Sequence, residues 1–544
     1  MSNAVKSSIA PFVIPRSGMS TQFPIAEMPP EFSPWIRDLD NEGGYYEVRK
    51  GVKWKFNAAI NYISALIAHP TDKNKVLYMD TSATDFLRSY DAVTGATASI
   101  GALALTPTGV RSRPIGFNKN VFFFFTGCEP VKYDGATYGV TTITGPTLAN
   151  LVFGFIYRNR IHVVEANSTK VWCSGEARGI GGAFIDFDFG SLTEDSGVIV
   201  CGFGFTLSDG TNSQLIYGIV FDTGEILFYT GAYFKDDLWR ILGTASIGAP
   251  LGYQSIIKLN GDQLVMTKNG IVSMRTLLTT AQGDVGAASI TAPIEKYWCA
   301  LIEAIQENET LTSWDPDSSL ISYINGSYHQ LRNKLVIFVP GLLFPYENED
   351  KSFGYQYEQI PGALIYDIPT KSWQVHVLDF FADGFPFQFI SSYYWKTFNM
   401  LLFGTNSTGG PGGEAAWQYW GNNNYYDKVL SASQNQAINP ELHTAFAELE
   451  YQSRVSEVFV NQEGPYCKSR AEVTVVVDSG AYHSEPAKCE SANDTAQRSK
   501  YNVGAIGNSV QIKIKSVTDA AGSMTRPYRI ANISALIEQQ KGVF

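Results

Sequence analysis

The sequence has 544 residues, of which 44% are hydrophobic, 13% are aromatic and only 17% are charged. This balance excludes an intrinsically disordered chain, which needs many charges and few aromatic residues. The formal net charge of −11 argues against a protein that grips nucleic acid by neutralising its phosphates.

The abundance of glycine, tyrosine and phenylalanine indicates a fold built of strands and turns. The chain contains 49 Gly, 29 Tyr and 33 Phe residues. Aromatic residues favour strands, and glycine favours the turns between them. A chain of this length predicts either more than one domain or one large domain built of repeats. We therefore expect an all-β protein.

The N-terminal residues predict a protein without a leader peptide or a membrane span. The opening MSNAVKSSIAPFVIP lacks the apolar run of a secretory signal peptide, and no segment reaches the length of a transmembrane helix. We expect the chain to be made in a cytoplasm.

Residues 1–56 are predicted to form an extended arm and a junction. The segment FPIAEMPPEFSPWIRDLDNEGG has little hydrophobic periodicity, and the basic turn in GGYYEVRKG comes before the strand VKWKF. Glycine, arginine and lysine also form phosphate-binding turns, but such a site needs a helix after it rather than a strand. We therefore interpret the turn as a structural junction. Its candidate assembly residues are Gly43, Gly44, Tyr45, Arg49, Lys50 and Gly51.

An aromatic residue, an aspartate, a short turn and a strand recur in this order through the middle of the chain. The aspartate suits the first turn position because its side chain accepts a hydrogen bond from a backbone N–H two residues on. A following glycine often supplies the positive φ that closes a hairpin. A further hairpin is predicted at Asn269 and Gly270. The four aspartates of the pattern are Asp91, Asp134, Asp222 and Asp367.

The spacing of these turns indicates repeated four-stranded units. Asp91 and Asp134 lie 43 residues apart, and the interval from Asp134 to Asp222 is close to twice that. A period of about 43 to 49 residues with several short strands matches one blade of a β-propeller. We predict a β-propeller-like body of about six or seven blades, with long exposed loops, over residues 57–444. The alternative is a large irregular β-sandwich in which the turn spacing is coincidental.

One helix is predicted within this body. In the segment APIEKYWCALIEAIQEN, residues 292–308, the apolar residues recur at steps of three or four and would share one face of a helix. They are Ile294, Trp298, Leu301, Ile302 and Ile305.

The search for a catalytic or metal site leads to structural interpretations. No P-loop, HExxH or GxSxG pattern occurs, and the six histidines show no paired spacing. Asp186 and Asp188 would share one strand face and could bind a cation or act as an acid/base pair, although a polar strand face explains them more simply. Asp315 and Asp317 suit a turn better than a metal site. We predict no catalytic residue, no cofactor and no metal.

The six cysteines are also interpreted as structural. No pair has the CxxC spacing of zinc ligands. Cys467 and Cys489 lie in one late segment and could be neighbours on paired strands. The other four lie among apolar residues and are predicted to be buried free thiols: Cys128, Cys173, Cys201 and Cys299.

Residues 445–544 are predicted to form a separate C-terminal β-sandwich. In VQIKIK the apolar Val510, Ile512 and Ile514 alternate with polar residues, which is typical of a sheet with one wet face. The stretch NSTGGPGGEAAWQYWGNNNYY, residues 406–426, is rich in Gly and Asn and is predicted to be an exposed loop ahead of this domain.

Both ends of the chain resemble one protein family. The segment PPEFSPWIRDLDNEGGYYEVRKGVKWKF resembles the opening of the tail nozzle, or tail hub, proteins of short-tailed phages (podophages), with Asn41 and the candidate assembly residues as the matching positions. Lys50 departs from the family pattern, in which Arg or Pro is frequent. The segment RPYRIANISALIEQQKGVF looks like the closing strand of that family.

The resemblance implies a structural role in a virion tail that is assembled in the host cytoplasm. Nozzle proteins form a six-fold ring below the portal and the adaptor, and DNA leaves along the ring axis. For this chain the resemblance implies a homo-oligomeric ring, a tail adaptor protein above it, and tail fibres or a tip protein as further partners. DNA would pass without specific binding, and an acidic wall suits that role because it repels phosphates.

A closed ring of identical subunits needs head-to-tail contacts. Exposed aromatic residues, as in FVIPRSGMSTQF and NNNYY, are of the type that anchors such interfaces. We expect Arg49 and Lys50 to meet an acidic neighbour, within the subunit or across the ring. The loops at about 344–358 and 404–427 are expected to make peripheral contacts.

Two other functions stay open. The first is a carbohydrate- or receptor-binding β-propeller. The second, less favoured, is a glycan-cleaving enzyme, because sialidase-type propellers carry repeated Asp-box turns. The stretch LSDGTNS is only a fragment of such a box and is not repeated. We therefore predict that the protein is not an enzyme.

Overall fold

Strands dominate the structure, a computed structural model that contains three short α-helices among the residues it describes. Those residues are 7–24, 27–42, 45–57, 63–80, 87–101, 111–208, 213–280, 284–309, 315–347, 353–378, 388–406, 415–420, 426–428, 435–438, 440–445, 447–463, 470–477, 480–483, 487–488, 497–517 and 529–539.

The N-terminal segment supplies five strands that join different parts of the molecule. They are β1 (Ser7–Phe12), β2 (Ile36–Arg37), β3 (Leu39–Asn41), β4 (Tyr46–Val48) and β5 (Lys53–Asn57).

The next four sheets are meanders in which strands that are consecutive in sequence pair antiparallel. Blade 1 contains β6 (Ile63–Ala68), β7 (Lys75–Asp80), β8 (Leu87–Asp91) and β9 (Thr97–Gly101). Blade 2 contains β10 (Arg113–Phe117), β11 (Asn120–Phe124), β12 (Val131–Tyr133) and β13 (Tyr138–Val140). Blade 3 contains β14 (Ile143–Thr144), a short parallel edge strand, and then β15 (Leu151–Tyr157), β16 (Arg160–Glu165), β17 (Lys170–Ser174) and β18 (Gly182–Asp188). Blade 4 contains β19 (Ile199–Ser208), β20 (Ser213–Phe221), β21 (Glu225–Thr230) and β22 (Arg240–Ser246).

Blades 5 and 6 carry insertions, and blade 7 takes its fourth strand from the N-terminal segment. Blade 5 contains β23 (Ile256–Leu259), β24 (Asp262–Thr267) and β25 (Gly270–Ser273), followed by α1 (Met274–Thr279), α2 (Val285–Ala288) and α3 (Glu295–Glu307). Blade 6 contains β26 (Asn325–His329) and β27 (Lys334–Val339), an inserted hairpin of β28 (Leu342–Glu347) and β29 (Phe353–Glu358), and then β30 (Gly362–Asp367) and β31 (Ser372–Val377). Blade 7 contains β32 (Gln388–Trp395), β33 (Met400–Asn406) and β34 (Ala415–Tyr419), with β5 as its fourth strand.

The seven sheets close into a ring, which confirms the all-β, propeller-like fold. Contacts between adjacent blades run from β6 to β10, from β10 to β15 and from β15 to β19. They continue from β19 to β24 of blade 5, and from β23 of the same blade to β26. Finally β26 contacts β32, and β32 contacts β6. Apolar cores lie between adjacent blades. Each two-sided blade therefore buries both faces against its neighbours, as a propeller requires.

The ring is closed by a strand from before blade 1. Lys53–Asn57, which the sequence places in the junction, pairs with β34 of blade 7, with Trp417 opposite Trp54. Phe56 of this strand is buried and stacks on two blade 1 rings, Tyr90 at 4.5 Å and Tyr78 at 4.7 Å between centroids. The first and last segments of the propeller therefore pair within one blade. The ring can open only if this sheet is broken.

Replacing Phe56 with leucine should lower the free energy of unfolding by about 1–2 kcal/mol, because leucine keeps most of the apolar contact but loses both aromatic pairs. Urea denaturation followed by tryptophan fluorescence would measure it. Val93→Ala, at a side chain that is 69% exposed, is the control and should change stability little. Equal losses in the two variants would contradict closure at this interface.

The predicted hairpins all exist, but they are not equivalent. Asp91 and Asp367 end the third strands of their blades, and Asp134 directly follows the third strand of blade 2. Asp91 and Asp134 each accept hydrogen bonds from backbone N–H groups two and three residues on. Asp222 and Asn269 instead follow second strands, and the Asp222 carboxylate accepts from the Val198 N–H at 2.9 Å. The spacing therefore predicted the size of a blade correctly while mixing two positions within it.

The predicted helix is present as α3. A short 3-10 turn at Ala292–Ile294 leads into it, and the four predicted apolar residues within the helix are buried together with Tyr297. The helix packs between blades 5 and 6, where the Trp298 indole donates to the Thr267 carbonyl at 3.0 Å.

A histidine lies inside the aromatic interface between blades 3 and 4. His162 is fully buried, its ring stacks on Phe155 at 5.1 Å, and Nε2 meets no hydrogen-bond partner among the described residues. Burial lowers the pKa of His162 to about 3 from 6.5. As the pH falls below 6.5 the unfolded chain therefore takes up this proton first, and stability falls by up to about 1.4 kcal/mol per pH unit until about pH 3.

In the wild type, unfolding between pH 6 and pH 4 is accompanied by uptake of a proton at His162, and His162→Phe removes this uptake. We therefore expect the unfolding free energy of the variant to fall less steeply with decreasing pH than that of the wild type. Urea midpoints at several pH values would measure the slope. His69→Phe, at a half-buried histidine whose pKa is lowered less, should change the slope less. An unchanged slope in His162→Phe would show that this histidine does not titrate between the two states.

The C-terminal strands form one sheet with blade 6. They are β37 (Glu441–His443), β38 (Ala447–Glu463), β39 (Arg470–Val477), β40 (Gly480–His483), β41 (Ala487–Lys488), β42 (Gln497–Val517) and β43 (Arg529–Gln539), preceded by β35 (Tyr426–Lys428) and β36 (Asn435–Ala437) at the edge of blade 7. The strand β2 lies between β31 and β37, since Arg37 pairs with Val375 on one side and Glu441 on the other. The sheet therefore runs without a break from the propeller into the C-terminal domain.

The C-terminal domain has its own apolar core, built from alternating residues. Val510, Ile512 and Ile514 are buried as predicted. Gln511, on the face predicted to be wet, is buried as well and donates to the Thr444 carbonyl at 2.8 Å.

Three local predictions were wrong. The predicted loop at 344–358 contains the stems of the hairpin β28–β29, and the predicted loop at 406–426 contains β34, in which Trp417 and Tyr419 are buried. Phe12, offered as an exposed interface anchor, is buried in the C-terminal core. The strand β34 has only five residues between glycine- and asparagine-rich flanks, which is why the sequence pattern predicted a loop there.

Candidate functional site

The predicted junction is held by a buried ion pair and is not a surface turn. Arg49 is 1% exposed, and its Nε donates to Asp38 Oδ1 at 2.7 Å. Its Nη2 donates to the Val377 carbonyl at 2.6 Å, and the Val377 N–H donates to Asp38 at 3.0 Å. The acidic neighbour expected for Arg49 therefore lies within the same chain, in the arm itself.

The other candidate assembly residues lie around this ion pair. Tyr45 and Lys50 are half-buried, Gly51 is buried, and Gly43 and Gly44 fall outside the described residues. The neighbouring Tyr46 is buried, and its hydroxyl donates to the Pro15 carbonyl at 2.6 Å, which ties β4 to the start of the arm.

A second buried ion pair lies beside the first. Lys334 of blade 6 donates to Asp40 Oδ1 at 2.9 Å, and the Trp420 indole donates to Asp40 Oδ2 at 3.0 Å. Burial alone would raise the pKa of Asp40, but the positive charges of Lys334 and Arg332 and the hydrogen bond from the Lys334 ammonium outweigh it and hold that pKa well below 3.8. The carboxylate is therefore charged at all ordinary pH values. We call Asp38, Asp40, Arg49, Lys334, His376 and Trp420 the junction cluster.

His376 completes the junction cluster as a neutral ring. Burial lowers its pKa to about 3. Nε2 lies 3.4 Å from the Leu39 carbonyl, which can only accept, so Nε2 carries the proton and Nδ1 accepts from the Tyr419 hydroxyl at 2.6 Å. The cluster thus joins the arm to blade 6 and to β34 of blade 7.

A cavity runs along the propeller axis. Its volume is about 390 Å³, and every blade contributes residues from its first strand or from the turn ahead of it. Ile156 and Lys258, both exposed, mark its open end. A concave site of this size, with a mainly apolar wall and a few polar groups, is where a ligand of a propeller is expected to bind.

The other end of the cavity is crossed by residues 315–324, which we call the floor segment. Asp317 of this segment forms a salt bridge with Arg113 of blade 2 and accepts from the Thr126 hydroxyl at 2.7 Å. On the opposite side of the ring, the Pro316 carbonyl accepts from the Tyr253 N–H of blade 5 at 3.2 Å. Because blades 2 and 5 face each other across the axis, the floor segment crosses the axis at this end.

Two arginines hold the floor segment. Arg111 is 1% exposed, and it donates to the carbonyls of Asp317 and Ser322 while its guanidinium lies over the Tyr323 ring at 4.5 Å. Arg113 lies over the Tyr253 ring at the same distance. Burial alone would raise the pKa of Asp317, but the two arginines outweigh it, so the pKa is lowered.

Sequence reasoning missed the role of Asp317. It predicted a turn at Asp315 and Asp317, and Asp315 does cap that turn by accepting from the N–H groups of Asp317 and Ser318, both at 2.8 Å. The available signal was the pair of arginines in the stretch RSRP at 111–114. Arginines that a fold buries need acidic partners.

The other aspartate pair lies on the outer surface. Asp186 and Asp188 are exposed on β18. Asp186 pairs with the Lys170 ammonium at 3.3 Å, and Asp188 accepts from the Thr169 hydroxyl at 2.6 Å and from the Gly190 N–H at 2.9 Å. The two carboxylates therefore hold separate partners of their own blade.

Three further structural findings concern metals, membranes and thiols. Within the described part of the chain, no group of three or more His, Cys, Asp or Glu side chains could hold a metal ion, and no helix is long and apolar enough to cross a membrane. Cys128, Cys173 and Cys201 are buried free thiols as predicted, whereas Cys299 is only half-buried. Cys467 and Cys489 lie outside the described residues.

Comparison with known proteins finds only weak structural similarity. No protein-family description matches the sequence, and no protein of curated function matches it. Similar solved structures include YCF48 from Cyanidioschyzon merolae (TM-score 0.39, 9% identity, 68% of this chain and 98% of that one) and the C-terminal WD40 domain of Sif2 (TM-score 0.38, 9% identity, 68% and 98%). The mitotic checkpoint complex contains a third (TM-score 0.37, 9% identity, 66% and 92%). The assignment of the propeller rests on the strand order described above.

Proposed function

We propose that the chain is a structural subunit of a phage tail, a nozzle or tail hub protein, which forms a six-fold ring that continues the DNA exit channel below the portal and adaptor. The observation that carries this proposal is the meeting of the two segments that resemble the nozzle family. Tyr46 of β4 pairs with Ile530 of β43, and β1 pairs with the same strand. The resemblance at each end of the chain therefore belongs to one structural unit.

The unbroken sheet between blade 6 and the C-terminal domain supports a mechanical role. Domains joined by a linker move relative to one another by default. Here β2 bonds to both bodies, and the buried junction cluster fixes the arm that carries it. A subunit that makes ring contacts through both bodies needs such a fixed relationship.

In the proposed assembly DNA would pass between subunits rather than through one chain. The cavity on the propeller axis is only about 390 Å³, and the floor segment runs across it from blade 2 to blade 5, which supports a conduit on the axis of the ring. A ring of identical chains needs a heterologous contact that closes. The net charge of −11 suits a wall that repels phosphates and lets DNA slide.

The mass and shape of the purified protein test the proposal. We expect particles of about six times 59.9 kDa by light scattering, alone or on a portal–adaptor connector, and images of rings with an open axis. We also expect the chain in purified virions. A chain that stays monomeric with the connector and is absent from virions would refute the proposal.

A further inference from the structure

Three exposed basic residues meet where blades 2 and 3 adjoin. Lys119 lies in the two-residue turn between β10 and β11, Arg158 in the equivalent turn between β15 and β16, and Arg178 in the loop between β17 and β18. The Arg178 N–H donates to the Asn159 carbonyl at 2.7 Å, and the Asn118 amide donates to the Arg178 carbonyl at 3.2 Å. These two hydrogen bonds hold the three segments together. We call Lys119, Arg158 and Arg178 the basic cluster.

The backbone of the basic cluster disfavours these residue types. All three residues have a positive φ, of 59° at Lys119, 44° at Arg158 and 63° at Arg178. Glycine, asparagine and aspartate enter this left-handed region most readily, and two-residue hairpin turns accordingly prefer Asn-Gly or Asp-Gly. The chain therefore keeps three long basic side chains where smaller residues would be more stable. Strain of this kind points to a function for the charges.

The positive charge of the basic cluster is not used inside the chain. Among the described residues, no carboxylate forms a salt bridge with it. Hydrogen bonds from the Ala232 and Leu238 N–H groups, at 2.6 and 3.2 Å, and then the charge of Arg158, lower the pKa of Asp236 in the adjacent blade. That carboxylate is therefore engaged by its own loop. Glu176, in the loop after β17, is exposed.

The helix α3 carries the opposite charge on its exposed side. Glu295, Glu303 and Glu307 are exposed, form no salt bridge with any described residue, and have Lys296 as the only basic residue of their helix. Glu303 and Glu307 lie one turn apart, so their charges repel each other. The last turn, where the helix dipole is negative, contains no basic residue. The helix therefore also keeps its charges at a cost to its own stability.

We propose that the basic cluster of one subunit binds the exposed side of α3 of the next subunit, and that this contact repeats around the ring. The contact rests on the proposed function, because it needs the ring. A closed ring of identical chains requires two different, complementary surfaces on each chain. Three cations facing three carboxylates supply such a pair, and both surfaces would be relieved of their unfavourable charges by it.

A second copy of the chain fits the basic cluster better than nucleic acid does. The chain carries a net charge of −11, which opposes the approach of a phosphate backbone. Nucleic acid would also leave the repulsion between Glu303 and Glu307 unexplained. The helix packs between blades 5 and 6, whereas the basic cluster belongs to blades 2 and 3, so the two surfaces are available to different neighbours.

Charge reversal on either surface tests the contact. Arg158→Asp/Arg178→Asp makes the cluster acidic, and Glu303→Lys/Glu307→Lys makes the helix basic. Both variants should fold, because aspartate tolerates a positive φ better than arginine, and lysine suits the last turn of a helix. Each variant alone should need roughly tenfold more protein, or still more, to assemble as far as the wild type does. Sedimentation velocity of the full-length chain, alone and with the portal–adaptor connector, measures assembly.

A mixture of the two variants restores the complementary charges. In an alternating ring, the acidic cluster of the first variant faces the basic helix of the second, and the native cluster of the second faces the native helix of the first. We therefore expect the equimolar mixture to assemble as the wild type does. Glu194→Lys/Asp195→Lys makes the same change of charge at an exposed turn of blade 3. It is the matched control and should assemble without a partner variant.

The outcomes separate this contact from the proposed function. If the wild type assembles and the two reversed variants assemble equally well, or if their mixture stays dissociated, the ring uses other surfaces and only this contact is wrong. If the wild type stays monomeric even with the connector, the proposed function is wrong and the contact is wrong with it.

Discussion

Replacing Asp40 with alanine should lower the free energy of unfolding by about 3–5 kcal/mol, which is the usual cost of breaking a buried ion pair from one side. The change leaves the Lys334 ammonium, 2% exposed, without its closest carboxylate, and it leaves the Trp420 indole N–H without its acceptor. Glu42 lies 3.2 Å from Lys334 and offsets part of the loss, but it is far more exposed. Urea denaturation at pH 7 measures the change.

The matched control is another Asp–Lys pair on the surface. Asp186→Ala breaks the pair with Lys170, in which both side chains are 43% exposed, and it should cost less than about 1 kcal/mol. The double variant Asp40→Asn/Lys334→Met removes both charges and keeps an acceptor for Trp420, so it should regain much of the stability. A cost for Asp40→Ala as small as that for Asp186→Ala would show that the arm is not held by this pair.

The pH dependence of the same variant has a defined sign. The pKa of Asp40 is lowered in the folded chain, so its contribution is fully present above the ordinary value of 3.8 and is lost only as the pH falls below that value. The stability difference between the wild type and Asp40→Ala should therefore stay constant from pH 7 to about pH 5 and shrink in stronger acid.

The propeller was predicted from local sequence patterns. The turn at Asp91 and the turn at Asp134 occupy the same place in consecutive blades, so their separation measured one blade directly. The closing strand Lys53–Asn57 could not be placed, because its partner β34 lies more than three hundred residues away in the sequence and nothing in five residues specifies a distant edge. Pairing of this kind is decided by which edge the completed ring leaves open.

The buried charges were beyond sequence reasoning for a related reason. Arg49 and Lys50 are adjacent and look alike, yet one is buried against Asp38 and the other is half-buried. Asp317 and Arg113 are brought together only when the ring is complete. A charged residue predicts that a partner exists, but tertiary structure decides which one.

The junction cluster and the floor segment have different structural roles. The junction cluster joins the arm, blade 6 and blade 7 on the side from which the C-terminal domain extends. The floor segment joins blades 2, 5 and 6 across the axis. Losing the first should loosen the arm and the C-terminal domain, whereas losing the second should release the floor segment from blades 2 and 5.

Replacing Asp317 with alanine is the second change with a large expected effect. It leaves the guanidinium groups of Arg111 and Arg113, both at most 4% exposed, next to each other without a carboxylate, and it should lower the free energy of unfolding by about 3–5 kcal/mol. Hydrogen exchange should also accelerate at the amides of Ser319, Ser322 and Ile324, whose backbone bonds hold the turns of the floor segment.

Asp315→Ala separates the loss of charge pairing from the loss of a turn in the same segment. Asp315 accepts from two backbone N–H groups, and without it the turn should weaken by about 1 kcal/mol. Exchange in the floor segment should then rise modestly, with the arginine pairs intact. If both variants lose the same stability and exchange alike, the floor segment is held by its turns rather than by the arginines, and its position across the axis would not depend on the salt bridge to blade 2.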